Sequence, residues 1–145
     1  MDSVQDILAR KGTAVIAMAP NATVLQAART MNERGVGSVL VMWDDRLVGV
    51  FTERDVLRRV VAEQRDPATT PLYDVMTVEV LCCRPDTELM ECGALMSENR
   101  VRHLPVLDGD GALRGIVTSG DLLAFRLAEQ QTTIAHLNSY VFDVR

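Results

Sequence analysis

The chain has 145 residues, enough for one compact domain or for two small halves sharing a core. Hydrophobic residues make up 48% of it, which supports a sizeable core and argues against wholesale disorder. The net charge of −5 argues against a general nucleic-acid surface, which needs clustered positive charge; here the basic residues are scattered and Lys11 is the only lysine. No apolar run approaches the length of a bilayer span, and Met1-Asp2-Ser3 does not begin a basic-then-apolar signal, so a cytoplasmic protein without a membrane partner is expected. Three cysteines, Cys82, Cys83 and Cys92, show no C-x-x-C spacing and read as small apolar residues in a reducing compartment. A redox role for the adjacent Cys82–Cys83 pair would need an exposed, electropositive setting.

Val4–Leu8 opens as a short amphipathic turn ended by Gly12. Thr13–Met18 is apolar, β-branched at first, and stops at Pro20, which predicts a strand. Asn21 or Thr23 can cap a helix whose buried stripe is Val24, Ala27, Ala28 and Met31, with Gly35 ending it. Ser38–Trp43 and Leu47–Thr52 flank Asp44-Asp45-Arg46 as a buried hairpin. Asp55–Glu63 is expected to be helical, with Val56, Leu57, Val60 and Val61 on one side. Gln64–Pro71 has two prolines and no periodicity, and reads as a linker.

After the linker the order repeats. Leu72-Tyr-Asp-Val-Met matches Val4-Gln-Asp-Ile-Leu, and Pro85 matches Pro20 at an offset of 65. That offset turns the helical stripe into Leu89, Cys92, Gly93 and Met96, which places Cys92 on the buried side. The second hairpin turn is one residue longer, so Gly49, Thr52 and Asp55 meet Gly115, Thr118 and Asp121 at an offset of 66. The chain is a duplication, residues 1–66 and 67–125, followed by an extension, 126–145. The expected class is α/β (α+β): two small sheets packed together about an approximate two-fold.

Gly49–Leu57 and Gly115–Leu123 are the paired features with chemical content. In each, a short strand turns into a helix at a threonine, with an aspartate three residues later. The free N–H groups and positive dipole end of a helix start suit an anion, so Thr52 with Asp55 and Thr118 with Asp121 could hold a phosphate and a polyol. The same Thr-x-x-Asp spacing is also a capping box that needs no ligand. Both readings stand at this level.

The ordered set resembles a tandem pair of cystathionine-β-synthase (CBS) domains, a Bateman module. It is carried by Val75-Met76-Thr77, by Pro85 with its helix, by Arg102-His103-Leu104-Pro105-Val106 and by the two Gly-x-x-Thr-x-x-Asp turns, and covers roughly Val4 to Phe125. The resemblance implies two β-α-β-β-α repeats. It also implies a regulatory module binding an adenine nucleoside or nucleotide (AMP, ADP, ATP, S-adenosylmethionine or NAD) in clefts between the repeats. Asp55 and Asp121 would then hold ribose hydroxyls, with Thr52 and Thr118 nearer the phosphate. Val15, Ile16 and Ala17, and Val80, Leu81 and Cys82, would line the base. Val36, Gly37 and Ser38, and Val101, Arg102 and His103, would complete the pockets.

The repeats differ where ligands would sit. Arg54 precedes the first aspartate and can pair with a phosphate or simply be a solvated arginine; Gly120 precedes the second and lets a ligand approach the backbone. Arg102 and His103 stand where the first repeat has Gly37 and Ser38, so the two clefts should be unequal. No metal is expected, because His103 lacks companions at ligand spacing. Asp108-Gly109-Asp110-Gly111 begins like a calcium loop but lacks its later glycine and glutamate, and reads as a hairpin turn. With two histidines and no nucleophile elbow, no catalytic constellation is present and an enzyme is not expected. Leu123, Leu127, Ile134, Leu137 and Val141 form a heptad-like seam that either folds back or, as preferred here, joins subunits. The expectation is a stand-alone regulatory homodimer that signals to an unidentified protein partner; the rival is a ligand-free dimerisation module whose turns are only caps.

Overall fold

The computed structural model describes the backbone of residues 2–143 and side chains as far as Gln131. Helix α1 (Val4–Lys11) ends at Gly12, whose φ of 93° lies outside the region other residues favour. Strand β1 (Ala17–Met18) leads to α2 (Val24–Arg34), which Thr23 caps by accepting the Gln26 N–H and which ends at left-handed Gly35. Strands β2 (Ser38–Trp43) and β3 (Arg46–Thr52) form the hairpin, turning through Asp44 and Asp45 at positive φ. Helix α3 (Glu53–Asp55) continues as a π-helical segment, Val56–Val61. The second repeat has a 3₁₀ turn (Leu72–Asp74), α4 (Leu89–Asn99), β4 (His103–Leu107), β5 (Leu113–Thr118) and the long α5 (Ser119–Asp143).

The duplication is visible in the hydrogen-bond register. Ser38 faces Thr52 and Val41 faces Gly49 in the first hairpin; His103 faces Thr118 and Val106 faces Gly115 in the second. Both hairpins shift register at the same place, between Val41 and Met42 and between Val106 and Leu107. The backbone bond from Glu53 N–H to Gly37 C=O returns as Ser119 N–H to Arg102 C=O.

Three expectations need correction. The first strand is two residues long, not Thr13–Met18. Its counterpart at Val80–Cys82 is not a strand, and among the described residues the second sheet consists of β4 and β5. The cause is one residue: Leu40 donates its N–H to Ile16 C=O, but its counterpart Pro105 has no N–H to give. Only the bonds from Cys83 N–H to Pro105 C=O and from Leu107 N–H to Cys83 C=O remain. Third, the helix after Thr52 is not α-helical throughout. Its wider Ala62-to-Leu57 and Arg65-to-Val60 bonds leave Val60 buried but Leu57 and Val61 more than half exposed.

The cores are exchanged. Val4, Ile7 and Leu8 of α1 lie in the core of the second repeat, with Cys83, Cys92, Met96, Leu104 and Val117. Leu72 and Val75, which match them in sequence, lie in the core of the first, with Val24, Ala27, Val39 and Phe51. The exchange is set by close approach: a Cβ on Gly49 would meet Met76 Sδ at 2.5 Å, and one on Gly115 would meet Leu8 Cδ2 at 2.9 Å. Leu8 and Met76 are themselves matched positions, so each repeat's opening segment packs on the hairpin glycine of the other. Residues 64–71 do not hang free, since Thr70 and Pro67 carbonyls accept the N–H groups of Val24 and Leu25 at the start of α2.

Along α5, Leu123 and Leu127 are exposed. Ile134, Leu137 and Val141 of the expected seam, and His136, lie outside the described side chains. Among the described residues no helix is long and apolar enough to cross a membrane.

Candidate functional site

Both Thr-x-x-Asp turns close as capping boxes. Thr52 N–H donates to Asp55 Oδ2 at 3.0 Å, and Asp55 N–H to Thr52 Oγ1 at 3.3 Å. Thr118 N–H donates to Asp121 Oδ2 at 2.9 Å, and Asp121 N–H to Thr118 Oγ1 at 3.1 Å. The surroundings of the two carboxylates differ. Asp55 is 6% exposed; the Thr77 hydroxyl and Arg59 Nε each stand 3.5 Å from its Oδ1. Asp121 is more open and lines a cleft of about 1110 Å³ between the repeats.

That cleft collects residues distant in sequence. Val15 and Ile16 enter it ahead of β1, and Val36, Gly37 and Ser38 ahead of and at the start of β2. Arg102 and His103 enter from the start of β4, and Thr118, Gly120 and Asp121 from the β5–α5 junction. Apolar side chains of the first repeat therefore face the capping turn of the second. Gly37 gives close room to its neighbours: a Cβ there would stand 3.3 Å from His103 Nε2 and 3.4 Å from Glu53 Cδ.

Other expected site residues are placed elsewhere. Ala17, Thr52, Asp55 and Val101 are not in this wall, nor are Val80, Leu81 and Cys82. Arg54 donates to the Arg100 carbonyl at the left-handed end of α4, tying the repeats together. The Cys82 thiol donates to Val80 C=O at 3.6 Å, and burial raises its pKa. Cys83 shares the second core with Cys92, and the hydrogen bond to Cys92, then burial, pushes the Cys83 thiol far above the usual range. Among the described residues no group of three or more His, Cys, Asp or Glu side chains could hold a metal ion.

Sequence reasoning missed Lys11 and Glu53. Lys11 Nζ lies 2.7 Å from Asp121 Oδ2 and donates to Ile116 C=O at 3.0 Å. No local pattern joins residues 110 positions apart. The signal available was that this is the only lysine in the chain.

His103 has its pKa lowered, chiefly by burial and further by Arg102 and Lys11, with Glu53 and Asp121 opposing. Below the ordinary imidazole value of about 6.5, the unfolded chain then takes up a proton that the folded chain resists. Stability is expected to be fully present above that pH and to fall as pH drops toward the folded value. Comparing urea midpoints of wild type and His103→Gln between pH 7.5 and 5 checks this; parallel curves would show that His103 is not the group responsible.

A duplicated α-β-β-α unit, exchanged opening segments and a cleft between the repeats define a class, and comparison agrees: the CBS domain family model matches residues 4–62 and 72–128, and the chain belongs to that family. It is 34% identical over 143 residues to the CBS domain-containing protein YhcV of Bacillus subtilis, covering 95% of this chain and 99% of that one. The solved CBS-domain containing protein ATU1752 of Agrobacterium tumefaciens superposes with a TM-score of 0.80 at 31% identity, covering 86% of this chain and 98% of that one. The CBS domain pair of protein MJ0100, solved with 5′-methylthioadenosine and S-adenosyl-L-methionine, shares the fold at a TM-score of 0.79 and 22% identity, covering 89% and 98%.

Proposed function

We propose that this chain is a non-catalytic regulatory CBS pair, acting in the cytoplasm as a homodimer, that binds an adenosine-containing ligand in the cleft at Asp121 and passes its state to a protein partner. The observation that carries the reading is the cleft itself. An ionised carboxylate at a helix start, able to accept from vicinal hydroxyls, shares one cavity with an apolar wall (Val15, Ile16, Val36) and with cationic Lys11, Arg34 and Arg102. The adenosine compounds bound by the similar CBS pair of MJ0100 support the ligand class. Asp55, enclosed by Arg59 and Thr77, is the weaker candidate, in keeping with unequal clefts. The experiment is a melting screen with AMP, ADP, ATP, S-adenosylmethionine and NAD(H) at millimolar concentration. A ligand at a hundred times its Kd adds about 2.7 kcal/mol, several degrees of Tm. No shift with any of them would leave the ligand-free dimerisation module as the better reading, which the closure of both capping boxes also favours.

The dimer rests on an exposed apolar surface repeated by the duplication. Leu57 and Val61 are 62% and 61% exposed, and their counterparts Leu123 and Leu127 are 59% and 47%. A closed two-fold pairing would cover both sets at once. The double variant Leu57→Glu/Leu123→Glu is expected to scatter light as a single 16.0 kDa chain with its Tm little changed, where wild type scatters as two. A wild type of one-chain mass at micromolar concentration would remove the dimer.

A further inference from the structure

Lys11 occupies one oxygen, Oδ2, of the carboxylate that a ribose would use. Asp121 Oδ2 already accepts the Thr118 N–H at 2.9 Å and Lys11 Nζ at 2.7 Å, which fills both of that oxygen's acceptor directions. A vicinal diol that engages both carboxylate oxygens must therefore move the ammonium. Lys11 is anchored at its backbone. It stands three residues beyond Leu8, which is 3% exposed in the second core, and the helix ends at Gly12 immediately after it. Its ammonium also donates to Ile116 C=O, so the cation is held at the cleft wall by two contacts. Displaced from Asp121, the ammonium remains tethered at the cleft wall, where an anionic group on the ligand can pair with it. Glu53 and Asp121 are the carboxylates of this cleft wall, against Lys11, Arg34 and Arg102. A ligand phosphate supplies that anion; a neutral nucleoside breaks the ion pair and offers nothing in return.

We propose that Lys11 is a specificity-determining latch, which makes this cleft select adenosine ligands bearing an anionic group over the neutral nucleoside. The inference rests on the adenosine-ligand reading of the cleft. It applies to this cleft alone, because the position matching Lys11, counted from the matched pair Leu8 and Met76, is Glu79.

The test is calorimetric titration of the whole chain with adenosine and with AMP, in wild type, Lys11→Met and Lys11→Arg. Wild type is expected to bind AMP at least about tenfold tighter than adenosine. Lys11→Met should tighten adenosine and weaken AMP until the two lie within about threefold, while Lys11→Arg keeps the preference. Because Lys11 is the sole lysine, protein made with ¹³C-lysine gives one side-chain Cε signal, which AMP should shift in wild type without any mutation. An AMP-to-adenosine ratio that Lys11→Met leaves unchanged, or a Cε signal that saturating AMP does not move, would overturn the latch and leave the ligand reading intact. No binding of either compound to any of the three proteins would overturn the ligand reading and the latch with it.

Discussion

Removing residues 1–11 is expected to open the core of the second repeat, not the first. Val4, Ile7 and Leu8 are 0%, 3% and 3% exposed, and all three pack with Cys92, Leu104, Val106 and Val117. Burying each such side chain is worth about 1.5–3 kcal/mol, so the segment contributes roughly 5–9 kcal/mol as an upper bound. A whole domain holds only about 5–15 kcal/mol of net stability. The shortened chain should therefore lose cooperative melting or fall in Tm by tens of degrees. Ile7→Ala, at a cost of about 2–5 kcal/mol, is the milder form. Cys83 and Cys92 report the location of the damage: buried in wild type, they should react slowly with a thiol reagent, and much faster in Ile7→Ala. Leu72→Ala, which leaves a hole in the first core, should raise their reactivity less. Equal protection of both thiols in wild type and Ile7→Ala would show that the exchanged packing does not hold the second core in solution.

Substitution of the two matched aspartates is expected to give two different phenotypes. Asp121→Ala removes charge-assisted bonds worth about 1.5–3 kcal/mol to a bound diol, so nucleotide affinity should fall about ten- to a hundredfold. It should also lose the cap and the Lys11 ion pair, at a stability cost of about 1 kcal/mol. Asp55→Ala should do the reverse. Asp55 is 6% exposed, and its carboxylate accepts from Thr52 N–H, Thr52 Oγ1 and Thr77 Oγ1 beside Arg59, so its loss leaves these groups unpaired at about 1–3 kcal/mol. Affinity at the Asp121 cleft should stay within about threefold of wild type, because Asp55 is not in its wall. Calorimetric titration with the best ligand of the screen, read beside urea unfolding, separates affinity from stability. Equal losses of affinity in both variants would show that the two turns act on one ligand site.

The sequence by itself determined the duplication, its helix stripes and caps, and the place of both hairpins, because these follow from local chemistry. The apolar period of Val24, Ala27 and Met31, the box at Thr23 and the left-handed glycine at position 35 are each settled within one or two turns of chain. Even the shortened second sheet was written locally, in a proline at position 105 with no N–H to give. Ten of the expected ligand residues line one cleft, although it is the packing of the two repeats that brings them together. Tertiary structure alone decided the rest. Which core receives α1 depends on the approach of Leu8 to Gly115, between residues more than a hundred positions apart. That the two clefts differ was legible in Arg54 and Gly120, but which aspartate would be enclosed was not. Each sits three residues after a threonine and caps the same kind of turn. Arg59 and Thr77 enclose Asp55, while Asp121 is left at the mouth of a cleft with Lys11 upon it. A side chain's neighbours along the chain set its backbone, but its solvation and charge partners come from segments that only packing brings near.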